Sequence, residues 1–111
     1  LYMMAIKGVG IDIVSLSRFE KVLMKHGEKL LSKYFAEEEK RMSTSSLAAR
    51  FAAKEAVKKA LDTPSIPFRN IVISSPARQA KIVGYEVQGR VWVSISHEKD
   101  NAVAIAVWEV V

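Results

Sequence analysis

A carboxylate and an ammonium stand four residues apart, at Glu55 and Lys59, in the stretch Arg50-Phe51-Ala52-Ala53-Lys54-Glu55-Ala56-Val57-Lys58-Lys59-Ala60. A helix here puts Ala48, Ala52, Glu55 and Lys59 on one flank, because residues three and four apart are neighbours on a helix surface. Alanines on that flank admit a second backbone or a ligand at close range. A carboxylate beside it can hold a cation, and a lysine one turn on can meet a phosphate. Taken alone, the pair also reads as an exposed Glu–Lys contact worth about 0.2–0.5 kcal/mol. A second carboxylate, Asp12, ends an otherwise apolar run on the same strand face as Gly10. An aspartate there is costly unless it is paired, capping or binding something, and Ser15 and Ser17 already supply caps for the helix that follows. Asp12 and Glu55 have no histidine or cysteine companion. That ligand set suits a hard cation: Mg²⁺ takes one or two carboxylates and completes its shell with water and substrate phosphates, and Mn²⁺ fits the same donors. Lys59 and Arg50 could then grip phosphates. The remaining polar candidates are weaker. His97 follows Ser96 in a turn, where a histidine is usually solvated, and the pair lacks a G-x-S-x-G nucleophile elbow. His26 sits at a helix end, where a cation suits the dipole.

The elements that must position these groups follow from periodicity. Lys7 to Val14 reads as a strand, with Val9, Ile11 and Ile13 on one face and Gly8, Gly10 and Asp12 on the other. Ser17 with Glu20 forms a capping box, which predicts a helix from Arg18 until Gly27 breaks it. Short helices are expected at Glu28 to Ser32 and Glu37 to Arg41. The long helix is expected from Ser46 to Leu61, stopped by Pro64 and Pro67. Strands follow at Ile71 to Ser74, Lys81 to Gln88, Arg90 to Ser96 and Ala102 to Val110. The last two, joined by the turn His97 to Asn101, form a hairpin. The nearly continuous apolar final strand is expected to be covered on both faces. A strand, then helices, then a run of strands indicates an α+β fold, with a mainly antiparallel sheet packed against one long helix and shorter ones.

With 111 residues, one domain spanning 1–111 is expected. There is no cysteine, which excludes disulfides, thiolate metal sites and a cysteine nucleophile. It is also compatible with a reducing cytoplasm. No signal peptide is read at the N-terminus. Leu1 and Tyr2 precede the first methionine and read as start-site remnants. The longest apolar run, Ala102 to Trp108, is too short to span a bilayer. The net charge of +5 implies an acidic partner: nucleic acid, a phosphorylated ligand or an acidic protein. Aromatic residues do not interleave with the basic ones as in single-strand binders, so no nucleic-acid motif is found.

Three motifs now carry a resemblance. Gly8-Val9-Gly10-Ile11-Asp12-Ile13 with Arg18, then Ala49-Arg50-Phe51-Ala52-Ala53-Lys54-Glu55-Ala56 with Lys59-Ala60-Leu61, then Val93-Ser94-Ile95-Ser96-His97-Glu98 resemble those of the holo-acyl carrier protein synthases, the short phosphopantetheinyl transferases. They occur in order, at compatible spacing. The resemblance implies transfer of the 4′-phosphopantetheine arm of coenzyme A to a serine of an acyl carrier protein, with 3′,5′-ADP released, in support of fatty acid biosynthesis. It implies that Asp12 and Glu55 hold Mg²⁺ on the diphosphate and that Lys59 binds phosphate. Arg50, Ser96 and His97 would contact the nucleotide end of coenzyme A. Arg18, Lys21 and Lys25 would face the acidic carrier, which matches the charge. Glu39 resembles the acidic position of a short helix and is a candidate base, though Glu37 and Glu38 beside it could equally all be solvated. A cytoplasmic homotrimer with the site between subunits is implied as well.

The chain also departs from the pattern. The family's G-T-G turn after the long helix is Asp62-Thr63-Pro64-Ser65 here, the G-K-P segment is absent from Ser75 to Gly89, and Ala36 replaces a threonine. Glycines let backbone amides approach a phosphate closely. Their absence is the best support for a non-catalytic module that binds coenzyme A or an acidic protein. A small nucleic-acid binder is disfavoured, because two carboxylates would repel phosphates unless a cation intervened.

Overall fold

In the computed structural model, residues 3–111 are described; Leu1 and Tyr2 lie outside them. The chain opens with strand β1 (Ala5–Ser15), followed by α1 (Leu16–His26), α2 (Glu28–Tyr34), a 3₁₀ turn (Glu37–Glu39) and the long helix α3 (Thr44–Leu61). A second 3₁₀ turn (Phe68–Asn70) leads to β2 (Ile71–Val72), β3 (Gln79–Ile82), β4 (Arg90–His97) and β5 (Asn101–Val110). All pairings are antiparallel, in the order β1-β5-β4-β3-β2. The final strand therefore inserts between the first and the fourth, and the α+β expectation holds.

Helix α3 lies across β1, β5 and β4, and small residues set how closely. Gly8 and Gly10 face it: a Cβ at Gly8 would collide with the carbonyl oxygen of Ala60, and one at Gly10 with that of Ala56. Ala102, Ala104 and Ala106 of β5 and Ala52, Ala53, Ala56 and Ala60 of α3 are buried in the same layer. Ala56 and Ala60 thus admit the sheet backbone, while Ala48 and Ala52 of the expected flank are buried in the two cores. Larger residues fill the flanks: Val57, Ile71, Ile73, Val91 and Val93 complete this core, and Phe19, Leu30, Phe35 and Leu47 form a second one under α1 and α2.

Several boundaries differ from expectation for local reasons. Helix α1 begins at Leu16, two residues early, because Ser15 rather than a Ser17–Glu20 box is its cap, accepting from the Arg18 N–H at 3.3 Å. Helix α3 begins at Thr44, capped by Ser43, whose Oγ accepts from the Ser46 N–H. It ends at Asp62, which adopts the left-handed conformation (φ 50°) before either proline is reached. The segment Glu37 to Arg41 makes one 3₁₀ turn instead of a helix. β2 stops at Val72, and the strand expected at Lys81 to Gln88 runs instead over Gln79–Ile82. Among the described residues, β5 is covered on one face only. On the other, Ile11 and Ile105 are register partners and are 61% and 39% exposed, flanked by exposed Val9 and Ile13.

A buried ion pair ties the helices together. Lys54 and Glu39 are both fully buried. The Lys54 ammonium donates to Glu39 Oε1 at 2.6 Å, to the Tyr34 carbonyl at 2.8 Å and to the Phe68 carbonyl at 3.1 Å. Three protons thus meet three acceptors. Glu39 also accepts from the Ala36 and Ile73 N–H groups at 2.9 and 3.2 Å. Burial pushes the Lys54 ammonium below the ordinary lysine range, while the hydrogen bond and charge of Glu39 oppose the drop.

Two outcomes follow from this packing. Gly10→Ala must push α3 off β1, and overpacking of this kind lowers stability by about 1–3 kcal/mol. A thermal melt checks it, and an unchanged midpoint contradicts the close approach. Glu39→Gln strands the Lys54 charge and lowers stability by about 3–5 kcal/mol. In urea titrations, adding Lys54→Met to that variant recovers part of the loss, because no unpaired charge is left buried.

Candidate active site

The close contact of α3 with β1 determines what faces what. Asp12 lies one register step beyond Gly10 on the helix-facing side, opposite Ala104, and Glu55 precedes Ala56, the residue whose carbonyl meets Gly10. Asp12 and Glu55 consequently line one cavity of about 440 Å³, together with Arg18, Phe19, Tyr34 and Phe51. Lys59, one turn on from Glu55, donates to Asp12 Oδ1 at 3.1 Å and to the Ile11 carbonyl at 2.9 Å. The Asp12 side chain is 20% exposed and that of Lys59 is 53% exposed. No described lysine or arginine forms an ion pair with Glu55.

The donor set fits a hard divalent cation in an open site. Two carboxylates converge on one cavity, and no cluster of three or more metal-ligating side chains occurs among the described residues. Such a site leaves most of an octahedral shell to water and phosphate oxygens, as Mg²⁺ prefers. Lys59 already neutralises part of the charge on Asp12 and is exposed enough to reach a bound anion.

Other expected residues fall elsewhere. Arg18 lines the cavity, while Lys21 and Lys25 are exposed on the same helix. His97 is the last residue of β4 rather than a residue of the turn. It pairs with Ala102, and Ser96 pairs with Val103. Both are exposed, and neither lines the cavity of Asp12 and Glu55. Arg50, expected to grip phosphate at the nucleotide end of coenzyme A, lies largely inside the chain. It is 6% exposed, and its guanidinium donates to the Ile73 carbonyl at 2.8 Å and to Ser75 Oγ at 2.9 Å. Burial pushes its pKa below the ordinary arginine value, with the Glu39 charge opposing. Glu39 is not solvated: its oxygens are held inside by Lys54, Ala36 and Ile73. Glu37 and Glu38 are exposed, and the Lys40 hydrogen bond and charge hold the Glu37 carboxyl below its usual range.

Two features escaped sequence reasoning. Tyr34 and Phe51 form an aromatic wall of the cavity, edge-on to each other at 5.4 Å; nothing in the spacing of Tyr34 signals this. Asp62 makes the turn that follows α3. Its N–H bonds to the Lys58 and Lys59 carbonyls in the left-handed conformation, which aspartate tolerates better than most residues. A glycine is therefore not required for the chain to turn here.

Comparison with known proteins agrees with this arrangement. Residues 8–107 match the 4′-phosphopantetheinyl transferase superfamily. A holo-acyl-carrier-protein synthase of Coprothermobacter proteolyticus is 76% identical over 106 residues, covering 96% of this chain and 98% of that protein. One from Thermodesulfovibrio yellowstonii is 44% identical, over 92% and 97% of the two chains. Among solved structures, the holo-acyl-carrier-protein synthase of Neisseria meningitidis superposes with a TM-score of 0.80 at 30% identity, covering 94% of this chain and 98% of that one. That of Bacillus anthracis, in complex with CoA (3′,5′-ADP), gives 0.77 at 34% identity over 98% and 100%. Fold, motif order and sequence identity converge, and the chain belongs to the 4′-phosphopantetheinyl transferase superfamily, a family of enzymes.

Proposed function

We propose that this chain, acting as one domain, transfers the 4′-phosphopantetheine group of coenzyme A to a serine of an apo-acyl carrier protein. The serine oxygen bonds to the phosphorus bearing the pantetheine arm, and the bond to 3′,5′-ADP breaks. The observation that carries this reading is the meeting of Asp12 and Glu55 in one open cavity beside Lys59. The coenzyme A complex of the Bacillus anthracis relative supports the donor.

Asp12 and Glu55 would hold Mg²⁺, or Mn²⁺, which would polarise the diphosphate and orient the leaving group. Lys59 moves from Asp12 to a phosphate oxygen when the anion arrives. Positioning and charge neutralisation are the main demands of phosphoryl transfer. Glu39 is committed to Lys54, so the serine proton passes to solvent in the open cavity. Arg18, Lys21 and Lys25 face the carrier, and the net charge of +5 favours steered encounter with an acidic protein. The role falls in fatty acid biosynthesis in the cytoplasm.

The bare sheet face supports a homotrimer. Exposed Val9, Ile11, Ile13 and Ile105 make a contiguous apolar patch of the kind that marks an interface. A neighbouring subunit would also explain the placement of Ser96 and His97, which would meet the nucleotide end of coenzyme A in the next subunit's site. The alternative, a binding-only module, rests on the glycines missing from Asp62 to Ser65; it predicts coenzyme A binding without transfer.

Incubation with coenzyme A, apo carrier and Mg²⁺ should add one phosphopantetheine to the carrier's intact mass, and a chelator should abolish the gain. Asp12→Asn and Glu55→Gln should each slow turnover on the order of 10²-fold or more, the scale for losing one preorganised charge-stabilising group, with melting temperature retained. Near-normal turnover by either variant would overturn the metal assignment. Ile11→Asp should convert trimer to monomer in sedimentation velocity. An unchanged mass would remove the sheet face from the interface.

A further inference from the structure

The loop from Val83 to Gly89, between β3 and β4, borders a cavity that the transfer site does not use. It measures about 350 Å³ and lies at the C-terminal end of α3. Leu61, Ile66, Val87 and Trp108 give it apolar walls, and the exposed Lys7 and Glu86 stand at its edge. No residue lines both this cavity and that of Asp12 and Glu55. Trp108 is on the α3 side of the sheet, since its register partners are Gly8 and buried Val91. The aliphatic patch of Val9, Ile11, Ile13 and Ile105 is on the opposite side, so association through that patch does not cover this one.

The walls are fixed before anything binds. The Trp108 indole N–H donates to the Gln88 carbonyl at 2.7 Å, which sets the plane of the ring. Val83 and Asn70 exchange two hydrogen bonds: the Val83 N–H donates to the Asn70 carbonyl at 2.8 Å, and Asn70 Nδ2 donates to the Val83 carbonyl at 2.9 Å. At the other end of the loop, a Cβ on Gly89 would collide with the Glu109 carbonyl oxygen of β5. A site held open in this way loses little conformational entropy on binding.

Lys7 reaches the cavity through an irregularity in β1. The register passes from Ile6 opposite Glu109 to Gly8 opposite Trp108, so Lys7 is the extra residue of a bulge. Strict alternation would set its side chain with Val9 and Ile11 on the other face. A bulge re-aims a side chain, and the Lys7 ammonium stands 5.1 Å from the Trp108 ring centroid. It pairs with no described carboxylate. Ligand pockets are mostly apolar, with a few polar groups that fix orientation. Apolar walls with one unmatched cation suit an amphiphile carrying one negative charge. A polyanion would find a single lysine here and the Glu86 carboxylate beside it.

We propose that this cavity is a second binding site, for a small monocarboxylate with an apolar body. The body packs between Leu61, Ile66, Val87 and the Trp108 ring, and the carboxylate meets the Lys7 ammonium. The assignment stands apart from the transferase reading, because Asp12, Glu55 and Lys59 take no part in it.

The test is nuclear magnetic resonance titration of the isotope-labelled full chain with naphthoate, read at the two tryptophan indoles. Trp108→Phe identifies the resonance. The Trp108 indole should shift saturably with a dissociation constant on the order of 1 mM, the ordinary efficiency for a ligand of this size. The amides of Asp12 and Glu55 should stay still. Lys7→Met should weaken binding about fivefold, the upper end for an ion pair open to solvent, and neutral naphthylmethanol should bind the parent as weakly. Glu86→Gln, which removes the nearby carboxylate, should bind at least as tightly as the parent. Saturating coenzyme A should leave the naphthoate shift in place. Absence of a saturable Trp108 shift, equal affinity in Lys7→Met, or weaker binding by Glu86→Gln would overturn the assignment. Displacement by coenzyme A would also overturn it, by placing the cavity within the transfer site. Failure of phosphopantetheine transfer would leave all these shifts as they are.

Discussion

Helix α3 and strand β1 touch backbone to backbone. Gly8 and Gly10 have no Cβ at the points where the carbonyls of Ala60 and Ala56 arrive, and no other residue type leaves that space. The contact brings a helix bearing Glu55 and Lys59 against a strand bearing Asp12, so three charged groups from the two elements share one side of the layer. A looser interface, built on valines, would still fold as a helix on a sheet. It would separate the carboxylates by the width of a side chain, and a small hard cation needs both within bonding reach.

Residues of the same type meet opposite fates around this helix. Lys54 is wholly inside and hydrogen-bonded at every proton, whereas Lys59 is half exposed and shared between Asp12 and a carbonyl. Glu39 is buried against Lys54, whereas Glu55 opens onto a cavity with no described cationic partner. The difference is one of solvent. A charge in the interior is tolerated only when it is saturated, and a saturated group has nothing left to offer a substrate. The buried pair therefore serves by anchoring the end of α2, both 3₁₀ turns and the segment after β2, which frame the aromatic wall beside the open pair.

The sheet carries a similar asymmetry. Its inner face is lined by glycine, alanine and valine fitted to α3, and its outer face presents isoleucine and valine to solvent. A chain this small buries a modest fraction of its surface alone, and an exposed aliphatic face is where further burial is available. Association through that face and completion of the site by a neighbour's Ser96 and His97 would be two consequences of one arrangement.

The sequence by itself determined the elements and the pairing of chemistry with them. Alternation in β1 and β4, the 3.6-residue pattern of α3 and the polar turn before β5 each follow from contacts within a few residues, and Asp12, Glu55 and Lys59 stand out because a charge in an apolar setting needs a reason. The family itself was legible from three motifs in order. Tertiary structure alone decided burial. Glu37, Glu38 and Glu39 are indistinguishable in sequence, yet one faces Lys54 in the interior and two face solvent. Arg50 and Lys59 are both cations on one helix, yet the first is buried against Ile73 and Ser75 and the second is half exposed beside Asp12. Tyr34 gains its position only because Lys54, Phe51 and Phe68 converge on it from distant parts of the chain. Solvent access depends on what the rest of the chain places over a residue, and local sequence carries no record of that.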